Sequence, residues 1–240
     1  MHTLNRWLMI VLVTFSMITL VHADAFFKQV QETDAFSMMG QTQPAQKIVQ
    51  DIWIGENRIY AGSEKQSALM DLENKVMYIL NHAEKSYVKM PLDFASAQTS
   101  DAEFKPKTEI NSQSLKLNVQ ALDETKEING WKCHKYLQTM ETMMGPAKSE
   151  LWATTDIPFD YEPMLKLSAT MLSQQPGLQD SQEDIFAELS KIKGITVESI
   201  TTMTVMGNEI KTKTTLQEFK QAAPPAGIYE LPAGYSEKTQ

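Results

Sequence analysis

Apolar and polar residues alternate over much of the stretch from Asp24 to Thr155, and a two-residue period of this kind predicts consecutive antiparallel strands. Residues 48–54 and 58–62 flank Gly55-Glu56-Asn57, a short turn whose Gly and Asn tolerate positive φ, and so predict a hairpin. Residues 69–72 and 76–80 flank Glu73-Asn74-Lys75, and 86–90 follow Asn81-His82-Ala83-Glu84-Lys85, which extends the hairpin into a meander. The alternation fades over 93–107, a polar stretch with Pro91 and Pro106 near its edges that reads as a loop or a short helix. Strands resume at 115–121, then at 131–140 and 148–155 around Met143-Met144-Gly145-Pro146. Late in the chain, 195–206 turn through Gly207-Asn208 into 210–219. That turn pairs Val205 with Ile210 and Met203 with Thr212.

A helical period interrupts the strands. Met164, Leu167 and Met171 fall on one face of a helix over 160–174, with Leu165, Ala169 and Leu172 beside them. Pro163 suits its first turn, and Pro176-Gly177 ends the pattern. A second helix is marked by the capping-box spacing of Ser181 and Asp184 ahead of Ile185, Leu189 and Ile192, with Gly194 as its stop. No repeat of fixed period is visible.

The N-terminus has a different character. Arg6 precedes an apolar run over 7–21 and then His22-Ala23, the layout of a secretory signal peptide with Val21 and Ala23 at its two small-residue positions. The run is shorter than the roughly 20 residues of a membrane span, so cleavage after Ala23 is expected, leaving no stable membrane anchor. The mature chain then keeps 21 basic against 30 acidic residues, a net charge of -9, with no basic run, which disfavours nucleic acid as a partner. With one cysteine, Cys133, an exported chain has no internal disulfide and must be held by its core. Cys133 shares a predicted strand face with Trp131 and Leu137, which predicts an inert buried thiol.

Candidate chemistry is sparse. The sequence holds no Gly-x-Ser-x-Gly elbow, no His-Glu-x-x-His, no Gly-rich phosphate loop and no paired-Cys metal signature. His82 and His134, the two histidines after Ala23, sit in no catalytic context, and Glu141, Glu150 and Asp156 read as solvated strand faces and turns. Neither a cofactor nor a catalytic residue is predicted, so the chain reads as a non-enzyme. Twelve methionines follow Ala23, among them Met38-Met39, Met140 with Met143-Met144, and Met203 with Met206. Thioethers bind Cu(I), which keeps copper handling open as an alternative, but flexible Met side chains more commonly fill cores.

Trp53, Tyr60, Met70, Tyr78, Tyr87, Trp131 and Trp152 are spread over successive strands, and 76–80 are apolar on both faces. A curled sheet covered by two amphipathic helices buries more of them and leaves room for an apolar cavity; a filled core is the other reading. In addition, Trp53 through Arg58-Ile59-Tyr60, Met77-Tyr78-Ile79-Leu80, Lys85-Ser86-Tyr87, Gly130-Trp131-Lys132-Cys133-His134-Lys135-Tyr136, Glu150-Leu151-Trp152-Ala153-Thr154 and the closing Tyr229-Glu230-Leu231-Pro232-Ala233-Gly234-Tyr235 form a set of landmarks. The set resembles an uncharacterised family of exported bacterial proteins similar to the outer-membrane lipoprotein carriers. The resemblance implies an incomplete antiparallel β-barrel whose open side is covered by helices over a cavity that holds acyl chains.

The expected architecture is therefore mainly β (α+β): a curled antiparallel sheet or incomplete β-barrel covered by two or three helices. It forms a single domain over 24–240 behind a signal peptide over 1–23. The expected function is periplasmic and noncatalytic, the binding of a lipid or acyl chain between sheet and helices. Trp53, Tyr60, Met70, Tyr78 and Trp152 are the expected lining, and Met164, Met171 and Phe186 the lid. An envelope protein-interaction module with a filled core is the alternative.

Overall fold

The structure, a computed structural model, describes residues 23–38, 41–92, 116–142, 145–173, 182–205 and 207–238. The signal segment up to residue 22, the polar stretch over 93–107, Met39, Met143, Met144, Met206, Pro176-Gly177 and the Ser181 cap lie outside the described residues.

The chain opens with β1 (Asp24–Thr33), followed by a small hairpin of β2 (Phe36–Met38) and β3 (Gln41–Gln43). A meander follows: β4 (Gln46–Ile54), β5 (Arg58–Gly62), β6 (Gln66–Asp71), β7 (Val76–Asn81) and β8 (Ser86–Pro91). Next come β9 (Leu117–Ile128), β10 (Trp131–Thr142), β11 (Gly145–Thr154), helices α1 (Glu162–Ser173) and α2 (Gln182–Leu189), then β12 (Ile195–Val205), β13 (Asn208–Ala222) and the two-residue β14 (Ser236–Glu237). Twelve of these strands form one sheet in the order β14-β8-β7-β6-β5-β4-β1-β13-β12-β11-β10-β9. All neighbours are antiparallel except β14, which runs parallel to β8. The strand that joins the two meanders is β1, hydrogen-bonded to β4 on one side and β13 on the other.

Local chemistry explains much of this. Asn129 and Gly130, both at positive φ (51° and 86°), make the two-residue turn between β9 and β10 that right-twisted strands favour. Between β12 and β13, Val205 pairs with Asn208 and Met203 with Ile210. This register differs by two residues from the expected one, and a slip of two leaves every side chain on its expected face. The largest core cluster joins Ala25 and Phe27 of β1 to Cys133, Trp152, Ile157, Val197 and Leu216. Cys133 is fully buried and Trp131 packs against its cluster, while the next buried residue of β10, Tyr136, lies on the other face in a second cluster with Val119, Leu151 and Ala153.

The helices overturn the expected fold class. The sheet is open, with β14 and β9 at its edges, and the two helices do not cover it. They pack on each other through Ala169, Ile185 and Leu189, with Leu165, Leu172, Phe186 and Leu117 of β9 around them. Ile192, just after α2, joins Val119, Tyr136, Leu151 and Ala153 of β9 to β11. The reason is size: α1 has 12 residues, a length of about 18 Å, whereas twelve strands spaced ~4.8 Å apart are roughly 50 Å across. Instead the helices serve the β9 edge, where the Glu188 carboxylate accepts the Val119 N–H at 2.7 Å and so occupies an edge donor that no strand pairs. No helix among the described residues is long and apolar enough to cross a membrane.

Candidate functional site: an aromatic row under a C-terminal strap

Cross-strand register lines up one row of side chains across the β1 and β4–β8 half of the sheet. Phe26 pairs with Trp53, Trp53 with Tyr60, Tyr60 with Leu69 and Leu69 with Tyr78, so all five lie side by side on one face. Five strands at ~4.8 Å make the row about 19 Å long. The Phe26 and Trp53 rings are 4.8 Å apart at 46°, a tilted contact that adds to their burial. A lysine stands at either end. Lys220, the partner of Phe26 on β13, holds its ammonium 4.6 Å from the Phe26 ring centre, and Lys89, the partner of Tyr78 on β8, lies 5.9 Å from the Tyr78 ring.

Tyr60 is central to the row. Burial and then the charge of Asp51 push its phenol above the ordinary tyrosine range, so it stays a neutral, largely apolar ring. Asp51 is itself 3.9 Å from the Lys28 ammonium, an ion-pair distance too long for a hydrogen bond.

The chain after β13 crosses this face as a strap and ends as β14 beside β8. Besides the β14–β8 backbone pairing, polar side chains tie it down. Tyr229 donates its hydroxyl to the Asp24 carboxylate at 2.5 Å, the Tyr235 hydroxyl and His82 Nδ1 are 2.8 Å apart, and Lys238 pairs with Glu84. Between these ties two compartments remain. One, of about 300 Å³, lies between Trp53, Tyr60, Lys28 and Asp51 of the sheet and Pro225 and Ile228 of the strap. The other, of about 260 Å³, lies between Arg58, Leu69, Met70 and Tyr78 and the strap residues Tyr229 and Leu231. Arg58, at the mouth of the second, is the only arginine after Arg6.

The eight residues singled out in the sequence divide into three places. Trp53, Tyr60 and Tyr78 come together under the strap, whereas Met70 borders the second compartment from a strand whose register places its side chain with Ile59 and Met77 on the opposite face. Trp152 belongs to the Cys133 core, with the Lys126 ammonium 4.1 Å above its ring and Lys135 at 5.5 Å. Phe186 packs into the helix pair, and Met164 and Met171 are half-buried on α1, so these three do not cover the aromatic row. Sequence reasoning missed Phe26, Leu69, Ile228 and Leu231. The signal for the strap was present in the Tyr229 to Tyr235 landmark, which supplies both tyrosine ties.

Other candidate groups stay apart. Glu150 pairs with Lys135 at 3.4 Å, while Asp156 accepts the Lys132 N–H at 3.0 Å. Among the described residues no group of three His, Cys, Asp or Glu side chains is placed to hold a metal ion.

Residues 46–235, which carry β4 to β13 and most of the strap, match a family described as a domain of unknown function, DUF4412, and the chain is a member of that family. No curated protein matches the chain.

Proposed function

We propose that this protein is a noncatalytic binding protein of the bacterial periplasm that takes up an elongated apolar ligand, a lipid or acyl chain, along the row from Phe26 to Tyr78. The observation that carries this reading is the row itself: five apolar or aromatic side chains in register, bracketed by Lys220 and Lys89 and crossed by the strap. Ile228 and Leu231 lie where such a ligand would lie, so the strap occupies the site until it lifts. Every 100 Å² of apolar surface withdrawn from water contributes about 2.5 kcal/mol to capture, and a lysine at either end suits an anionic head group. The ligand class is the one implied by the resemblance to the lipoprotein carriers, and the compartment is the one implied by the signal-peptide layout.

The test is titration of the purified chain with fluorescent palmitate, beside native mass spectrometry of protein taken from its own host. Saturable binding is expected, weakened roughly 10-fold or more in Tyr60→Ala. A chain truncated before Pro224, which lacks the strap, is expected to bind at least as tightly as the whole one. If neither the whole nor the truncated chain binds the probe, and no lipid co-purifies, the reading is wrong.

A further inference from the structure

Among the described residues the sheet contains an unpaired edge in its interior. β4 runs alongside β1 for its whole length, from Gln46 opposite Thr33 to Ile54 opposite Ala25, but β5 accompanies it only from Ile54 to Asp51. At Gly62 the neighbouring strand ends, and Ser63 turns its N–H to the Gln66 carbonyl at 2.8 Å. The first half of β4 thus lacks a partner on that side among the described residues.

Phase decides which groups are left over. The Gly55 N–H bonds the Arg58 carbonyl at 2.9 Å, so Gly55, Trp53 and Asp51 are the residues that bond to β5. Continuing the alternation, Val49 and Lys47 direct their N–H and C=O groups to the same side, where β5 is missing. Two donors and two acceptors at strand spacing therefore face a cavity of about 990 Å³. Its walls are Pro44 and Ala45 before β4, Ser63 to Gln66 of one turn, and Asn81 and Ala83 of another. Ile48 (39% exposed) and Val49 (48%) are two of the four exposed large apolar residues among those described, and they project from this edge to opposite faces. Lysine commonly guards such edges, but the Lys47 ammonium is held by Glu32 of β1 at 2.9 Å.

We propose that this notch is a docking site for an extended segment of another polypeptide, which adds itself as a strand beside β4 and bonds Lys47 and Val49. Backbone complementarity selects a strand as the occupant, and the exposed Ile48 and Val49 select apolar or β-branched residues at two successive positions of it. A second copy of this chain is a poor fit, because its own β4 edge is recessed behind the same turns and two recessed edges do not reach each other. The notch shares Val49, Ser63 and Glu64 with the compartment beneath Ile228, yet the inference stands on the ladder and not on acyl binding.

Amide hydrogen exchange on the wild-type chain tests it, with two probes: a short peptide of alternating Thr and Val capped by Lys, and the same peptide with Pro at alternate positions. The Thr-Val peptide is expected to slow exchange at Lys47 and Val49 at least about 10-fold. The amide of Ile48, already bonded to β1, should not change, and the Pro peptide should have no effect. Lys47→Pro removes an N–H aimed into the notch and should weaken peptide binding at least 10-fold, whereas Lys47→Thr retains binding; both should still bind fluorescent palmitate as wild type does. Unchanged exchange at Lys47 and Val49, equal protection by the Pro peptide, or protection that grows with protein concentration alone, the mark of a second copy, would each overturn the proposal.

Discussion

The Tyr60 ring lies over Gly62, two residues further along β5, so closely that its hydroxyl fills the place a Cβ would take. Glycine at 62 is thus a packing requirement of the aromatic row. Gly62→Ala is expected to push the phenol off the row and destabilise the fold by about 1–3 kcal/mol, as overpacking does elsewhere. Urea unfolding of Gly62→Ala, Tyr60→Ala and the double variant checks it. Because the alanine at 62 finds space once the ring is gone, the double variant should be more stable than the two single losses add up to. Strict additivity would mean that the contact does not hold the ring.

Tyr229 and Asp24 tie the strap to the first residue of β1, and burial together with the neighbouring carboxylate keeps the Tyr229 phenol protonated far into alkaline pH. Tyr229→Phe deletes the hydrogen bond and little else. Loss of about 0.5–1.5 kcal/mol is expected, with faster amide exchange over 226–235 and no change at β9 to β12. Uniform acceleration across the sheet would show that the strap is not a separate unit.

Glu198 is a nearly buried carboxylate held by two lysines, Lys126 at 2.6 Å and Lys213 at 2.8 Å. Burial works to raise its pKa, but the hydrogen bonds and charges of Lys126 and Lys213 outweigh burial and hold it below the usual carboxylate range. A carboxyl depressed in the folded state stabilises fully above its unfolded pKa, about 4.3, and loses that contribution as pH falls through the folded value. Glu198→Gln should therefore cost roughly 1–3 kcal/mol at neutral pH. Thermal melts from pH 7 down to pH 3 should show the gap to wild type closing below about pH 4; a gap that persists in acid would point to packing rather than charge.

Burial lifts the Cys133 thiol above its ordinary range and leaves it 0% exposed. Thiol-reactive dye should label native protein at the rate of global unfolding, then react at once in denaturant. Fast labelling of the folded chain would contradict the sealed core around Phe27, Val197 and Leu216.

The β4 to β8 meander was legible in the sequence because its turns carry Gly, Asn and Lys at fixed offsets and its strands alternate cleanly. β9 was legible only to Ala121, since Asp123 to Glu127 are polar on both faces and show no period; the Asn129-Gly130 pair was the signal that the strand continues to Ile128. The existence of both helices followed from spacing, but their position did not. An apolar stripe says that a helix is covered and not by what, and the stripe of α1 met α2 rather than the sheet. The same limit applied to the site: Trp53, Tyr60 and Tyr78 were visible as aromatics on neighbouring strands, whereas their joining with Phe26 depends on β1 pairing with β4, a register that no local pattern encodes.

That β1 is the seam between the two meanders has a consequence for how the chain reaches its fold. Each meander is built from neighbours in sequence and closes over short loops, but Asp24 finds its partner at Ala222, about 200 residues further on, a separation typical of slow-folding topologies. During synthesis the first strand emerges long before the thirteenth exists. It can lie against β4 early, yet its other edge stays bare until β13 is made. The chain therefore closes this seam only after Ala222 has been added, and until then it carries an open strand edge that a holding partner would have to shield.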